Sequence, residues 1–188
     1  MHLYLSTPSP LNATFTNEDG QVMYKVDTPM AVGTRTSTIS CVVPNDIPQQ
    51  QSDSSAAEES MKDRFAHLAQ VEHNVVGSSV LRFGGKEILT KEYFRKEGWG
   101  AYGRHRVFTA SDGREYKWLL QTFTPKLIVN DESKGVVAKF HRRNLGIIGK
   151  PRPRSLEIFP AGEHMVQEIL VTFVYVEKIR KDRENAAR

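Results

Sequence analysis

Residues 165–179 read Met-Val-Gln-Glu-Ile-Leu-Val-Thr-Phe-Val-Tyr-Val-Glu-Lys-Ile, a long apolar run near the end of the 188-residue chain. Val166, Ile169, Leu170, Phe173 and Val176 fall at helical spacing, while Val171, Val174 and Tyr175 lie off that stripe. A helix here is apolar nearly all round, and such helices are buried on most sides. At about 1.5 Å per residue it spans roughly 22 Å, the length needed to thread a small barrel. The rival is a long strand. Ile169, Val171, Phe173 and Tyr175 alternate with Leu170, Thr172, Val174 and Val176, and the β-branched content is high. Periodicity leaves both open, and propensity alone favours the strand.

The sequence before this run is a succession of short β-forming stretches separated by turn residues. Asp19-Gly20 separates Asn12 to Thr16 from Val22 to Val26, a hairpin signal. Residues 34–43 are rich in Thr, Ser, Ile and Val, and residues 65–73 alternate in part with period two. Gly84-Gly85 joins Val80-Leu81-Arg82-Phe83 to Lys86-Glu87-Ile88-Leu89. The clearest hairpin pairs Arg106 to Ala110 with Glu115 to Leu120 across Ser111-Asp112-Gly113-Arg114. Another pairs Lys126 to Val129 with Val136 to Phe140, and Leu156 to Phe159 supplies one more strand. Residues 90–97 are expected as a short helix with Thr90 as its N-cap. Many short strands at regular spacing argue a barrel or sandwich.

One domain spanning 1–188 is the expected organisation. Residues 44–64 change to Pro, Gln, Ser, Asp, Ala and Glu with almost no apolar anchor, and are expected to be a disordered insertion within that domain. No run reaches the roughly 18 uncharged apolar residues of a spanning helix, and the first residues lack the pattern of a signal peptide. With a single cysteine, Cys41, the expected location is in the cytoplasm, or peripherally at a membrane.

Charge is unevenly placed: residues 1–81 hold 4 basic and 9 acidic groups, residues 82–154 hold 17 and 7, and residues 155–188 hold 5 and 6. The positive block suggests an anionic partner. Within it, residues 141–154 carry Arg142, Arg143, Lys150, Arg152 and Arg154 with no acid, around Ile147-Ile148. Cations contacting phosphates beside apolar residues entering a bilayer surface would give about 1 kcal/mol per Lys or Arg. The plainer alternative makes these groups solvated turns. Residues 98–106 hold Trp99 and Tyr102 beside Arg104 and Arg106; they lack the spacing of a phosphate-binding glycine loop and are expected as an aromatic loop able to stack on bases or dip into a membrane interface.

No nucleophile elbow, zinc motif or acid pair is present, so no catalytic residue, metal ligand or cofactor is assigned. His67 and His73 bracket one expected strand some 20 Å apart, too far to share a metal.

The order of these signals resembles an uncharacterised fungal domain family similar to the tubby C-terminal-like superfamily, alongside scramblase-like and LURP-one-related proteins. The residues that carry the resemblance are Asn12 to Tyr24, Arg106-Val107-Phe108, Asp112-Gly113-Arg114-Glu115-Tyr116-Lys117-Trp118, Val136-Val137-Ala138 and Ile169 to Lys178. It implies a mainly β chain, an antiparallel closed β-barrel around a central hydrophobic C-terminal helix at about 165–179. It also implies a non-catalytic domain binding acidic phospholipid, such as a phosphoinositide, or another phosphorylated ligand. The resemblance places no particular contact; the expected anion contacts come from the basic block itself, Arg142, Arg143, Lys150, Arg152, Arg154, Arg104 and Arg106, with nucleic acid not expected. The alternatives are a protein-interaction or structural barrel docking through 44–64, and an enzyme assembled from distant positions.

Overall fold

The computed structural model describes residues 1–43, 65–121, 124–144 and 152–187. The insertion expected at 44–64 lies outside them. The strands are β1 (His2–Leu5), β2 (Ala13–Thr16), β3 (Val22–Asp27), β4 (Arg35–Val42), β5 (Phe65–His73), β6 (Val80–Phe83) and β7 (Lys86–Leu89). A single helical turn, α1 (Thr90–Tyr93), precedes β8 (Arg95–Gly100), β9 (Gly103–Thr109), β10 (Glu115–Leu119), β11 (Lys126–Val129), β12 (Val136–His141) and β13 (Ser155–Ile158). A 3₁₀ stretch, Pro160–Met165, leads into α2 (Val166–Ala186).

All 13 strands form one antiparallel sheet, ordered β7-β6-β5-β4-β3-β2-β1-β13-β12-β11-β10-β9-β8. Two meanders meet where β1 pairs with β13, His2 opposite Glu157. The turns expected from sequence sit where the chain reverses: Gly20, Gly84, Gly85 and Gly113 all have positive φ, which an L side chain resists. The sheet is not closed by a hydrogen-bonded ladder, because β7 and β8 are its edges. Strand count gives the reason. With 13 antiparallel neighbours, the first and last strands of the order run the same way, and the few residues between Leu89 and Arg95 are too short for a parallel crossover. Instead α1 links the two edge strands in the chain, with Tyr93 and Phe94 packed against Phe108 at 5.5 and 5.8 Å.

α2 is the core. Every residue from Glu168 to Glu177 is buried, so no face of the helix in that stretch meets water. The sheet supplies the covering from both wings, β5 on one side and β10 and β12 on the other. Phe140 of β12 and Trp118 of β10 lie 5.1 and 5.9 Å from Phe173, and Phe94 stacks on Tyr175 at 5.0 Å. Burying each such side chain contributes about 1.5–3 kcal/mol, which outweighs the modest preference of valines for strands. The helix expected at 165–179 therefore forms, and it runs on to Ala186. The added turns are polar and carry the pairs Lys178–Asp182 and Arg180–Glu184 at i,i+4.

Two local expectations are corrected. The helix expected over 90–97 stops at Tyr93, and Leu89, not Thr90, occupies its N-cap; the Thr90 hydroxyl instead meets Ser78 Oγ at 3.1 Å. Residues 98–106, expected as a loop, form the β8–β9 hairpin, with Gly100 opposite Gly103. Their glycines serve close approach: an ideal Cβ on Gly100 would lie 2.1 Å from the carbonyl oxygen of Leu120.

Candidate functional site

Strand directions bring the loops 28–34 and 74–79, the described residues 142–144 and 152–154, and the β8–β9 turn to the end of the molecule where α2 finishes. Contacts tie them there. Arg183 Nη1 donates to the Tyr102 carbonyl at 2.7 Å, Lys181 Nζ to Ser9 Oγ at 3.0 Å, and the Thr34 hydroxyl to Asn74 Oδ1 at 3.0 Å.

Four of the expected cations share one hairpin here. The register that pairs His141 with Ser155 continues to Asn144 and Arg152, which exchange two backbone hydrogen bonds of 2.9 Å, and so sets Arg142 opposite Arg154. Arg143 and Arg152 are exposed, and Arg142 reaches Glu184 at 3.6 Å. Half-buried Lys181 stands beside them: burial lowers its pKa, Glu177 opposes this, and Arg180 and Arg154 add to it. Lys150 and Ile147-Ile148 lie outside the described residues. Arg104 is exposed on β9, away from the hairpin, with Nη2 donating to the Lys96 carbonyl at 2.6 Å.

Arg106 is not on this surface. It faces the interior opposite Trp118 and is 4% exposed. Its Nη1 donates to the Arg104 carbonyl at 2.5 Å, and among the described residues it makes no ion pair. It borders a cavity of about 800 Å³ at the same end of the molecule, lined also by Arg35, His73, Tyr175, Lys178, Asp182 and Arg183. The only carboxylate among these lining groups, Asp182, is paired with Lys178. His73 is held by a directed chain. The Thr28 hydroxyl donates to the Leu11 carbonyl at 2.6 Å, so it accepts from Ser37 Oγ at 2.7 Å, and Ser37 in turn accepts from His73 Nε2–H at 2.9 Å. Burial, followed by the nearby Lys178, lowers the His73 pKa to about 4 against a smaller opposing effect of Asp182.

Around this mouth stand apolar side chains with no core to join. Met30 is 92% exposed, Val32 106%, Val75 78%, Val76 89% and Trp99 78%. Only Trp99 is singled out by the sequence reading. The signal for the others was an apolar pair at a loop tip, Met30-Ala31-Val32 between β3 and β4 and Val75-Val76 between β5 and β6, where folding gives an apolar residue nothing to do.

The opposite end carries a different cluster. Glu168, in the first turn of α2, accepts from Tyr93 Oη at 2.7 Å and from Ser111 N and Oγ at 3.1 and 2.9 Å. Asp112 accepts from Tyr116 Oη at 2.7 Å and meets His164 Nε2 at 3.0 Å. Burial pushes the Asp112 pKa up, but these bonds and the Arg114 N–H hold it below the usual carboxylate range. Each group is matched by a partner, which describes a latch between the β9–β10 turn and α2. Among the described residues no cluster of His, Cys, Asp or Glu suited to a metal occurs, and no helix is long and apolar enough to cross a membrane.

Residues 8–182 match a family of unknown function (DUF6593). No curated protein and no solved structure matches the chain.

Proposed function

We propose, for a chain that belongs to the DUF6593 family and takes no activity from it, a non-catalytic β-barrel that docks on an anionic phospholipid surface with the end where α2 finishes. One observation carries this reading: Met30, Val32, Val75, Val76 and Trp99, the large apolar side chains more than three-quarters exposed among the described residues, all gather at this end. Arg142, Arg143, Arg152 and Arg154 surround the same end. Apolar tips gain by leaving water for the acyl boundary, Trp prefers the interface, and each cation near anionic headgroups adds about 1 kcal/mol.

The finer reading of the sheet as a barrel closed around α2, in the manner of the tubby-like superfamily, is supported by α1 linking the two edge strands in the chain and by the burial of α2 on every side from Glu168 to Glu177. In that barrel the docking loops all belong to one rim.

The test is co-sedimentation with phosphatidylserine-containing and phosphatidylcholine-only vesicles across salt. Binding is expected only to the former and to weaken as salt rises. The Val75→Asp/Val76→Asp variant, altered at exposed positions that leave stability within about 0.5 kcal/mol, is expected to lose binding on the order of tenfold. No binding to any anionic composition at low salt would sink the proposal.

A further inference from the structure

We infer that the cavity at this end is a binding site for a phosphate monoester, with Arg106 as its anchoring cation. The molecule contains its own comparison. Two arginines are buried here, Arg180 at 3% and Arg106 at 4% exposure. Arg180 is satisfied: Nε and Nη2 donate to the two Glu177 oxygens at 2.7 and 2.9 Å, and Nη1 donates to Glu184 at 2.9 Å. Arg106 has one backbone carbonyl and no carboxylate among the described residues. Among the described residues no buried side-chain nitrogen lacks a partner, so the unused Arg106 donors open onto the cavity, placed to meet an anion there.

The surroundings fit such an arrival. Arg35 and Arg183 line the same cavity, each hydrogen-bonded to a backbone carbonyl, at Ala31 and Tyr102. Lys178 and Asp182 offset each other. His73 stays neutral near pH 7 and so leaves this balance unchanged. The lining is therefore cationic by three arginines. Planar, bidentate guanidinium donors match a doubly charged tetrahedral anion better than a single carboxylate. A cavity of about 800 Å³ has room for the group that carries the phosphate as well.

A soluble phosphate monoester and a phosphomonoester lipid headgroup present the same chemistry to this cavity. The experiment separates the sources. Thermal unfolding and calorimetry of the full chain are run with inorganic phosphate, glycerol 3-phosphate and inositol trisphosphate. Vesicle binding is compared between a phosphatidylinositol phosphate and phosphatidylserine at matched charge. At least one phosphate monoester is expected to raise the melting temperature. Arg106→Met is expected to weaken that ligand on the order of tenfold or more while making the free protein no less stable, since it removes an uncompensated charge. Arg143→Gln is expected to leave the soluble ligand unaffected. Should Arg106→Met fail to fold, Arg35→Gln carries the test, with a several-fold loss expected. Unchanged affinity in the folded variants, or no binding by any phosphate monoester in solution or on vesicles, overturns the inference. Phosphatidylserine binding that survives in Arg106→Met but not in Val75→Asp/Val76→Asp separates this site from the docking rim.

Discussion

The Arg183 guanidinium occupies the space a side chain on Gly103 would need: an ideal Cβ there would lie 1.2 Å from Nη1. Gly103 also has φ +99°, in the left-handed region. The pair therefore joins the start of β9 to the last turns of α2, and the hydrogen bond from Arg183 to Tyr102 completes the joint. Gly103→Ala is expected to lose about 1–3 kcal/mol from backbone strain, with a further loss from expelling Arg183. Gly113→Ala is the control, since it has φ +79° and nothing within 4 Å of its Cβ. Urea midpoints of the two variants measure the difference. Equal losses would mean that the Arg183 contact contributes nothing.

A buried hydrogen bond ties the middle of α2 to the sheet. Trp118 Nε1 donates to Thr172 Oγ1 at 3.0 Å, and Thr172 donates to the Glu168 carbonyl at 2.8 Å, with both side chains at 0% exposure. Thr172→Val keeps the shape and leaves the indole N–H without an acceptor, a loss of about 1–3 kcal/mol. Thr172→Ser keeps the acceptor and is expected to retain more of the stability. Chemical denaturation ranks them, and a valine variant as stable as wild type would show that the bond adds nothing.

The sheet was legible because its turns announce themselves. Asp19-Gly20, Gly84-Gly85 and Asp112-Gly113 mark reversals that the structure keeps, with glycine at positive φ in each. α2 was not legible from pattern. Residues 169–176 are buried without a break, so no polar stripe remains to reveal a helical period. The resemblance, not the periodicity, pointed to the helix.

The hairpin cations Arg142, Arg143, Arg152 and Arg154 were found as a run, because a loop keeps neighbours in sequence together in space. Arg106 does not share their surface. The turn at 111–114 sets Phe108 opposite Tyr116, and therefore Arg106 opposite Trp118, on the inward face. That alternation was readable in advance. The cavity was not, since Arg35, Arg106, Lys178 and Arg183 come from three separate elements.

Arg180 and Glu177 form an ion pair with side chains at 3% and 1% exposure, and Arg180 lies 5.6 Å from the centre of the Tyr102 ring. Burial works against the charge on Arg180, but the bonds to Glu177 and Glu184 more than restore it, so its pKa is raised. Arg180→Met strands a buried carboxylate and is expected to cost about 3–5 kcal/mol. Arg180→Met/Glu177→Leu removes both charges and is expected to recover most of that loss. A double-mutant cycle on unfolding free energies reads the coupling. Simple additivity would show that the pair does not act as a unit.

Acid sensitivity follows from His73. Its pKa is about 4 in the folded chain against an ordinary value of 6.5, because burial, and then Lys178, disfavour the imidazolium. Asp182 opposes this, while Arg35, Arg106 and Arg183 line the same cavity. Above pH 6.5 the side chain is neutral whether the chain is folded or not, and it adds no pH dependence. Between 6.5 and 4 the unfolded chain takes up a proton that the folded chain refuses, so stability falls with pH. The loss approaches about 3 kcal/mol by pH 4, at 1.36 kcal/mol per unit of displacement. His73→Gln retains a donor for Ser37 and does not titrate. The wild-type minus variant difference in unfolding free energy is expected to be flat above pH 7 and to decline from 6.5 to 4. Parallel profiles across that window would mean that His73 is protonated as readily in the folded chain as in the unfolded one.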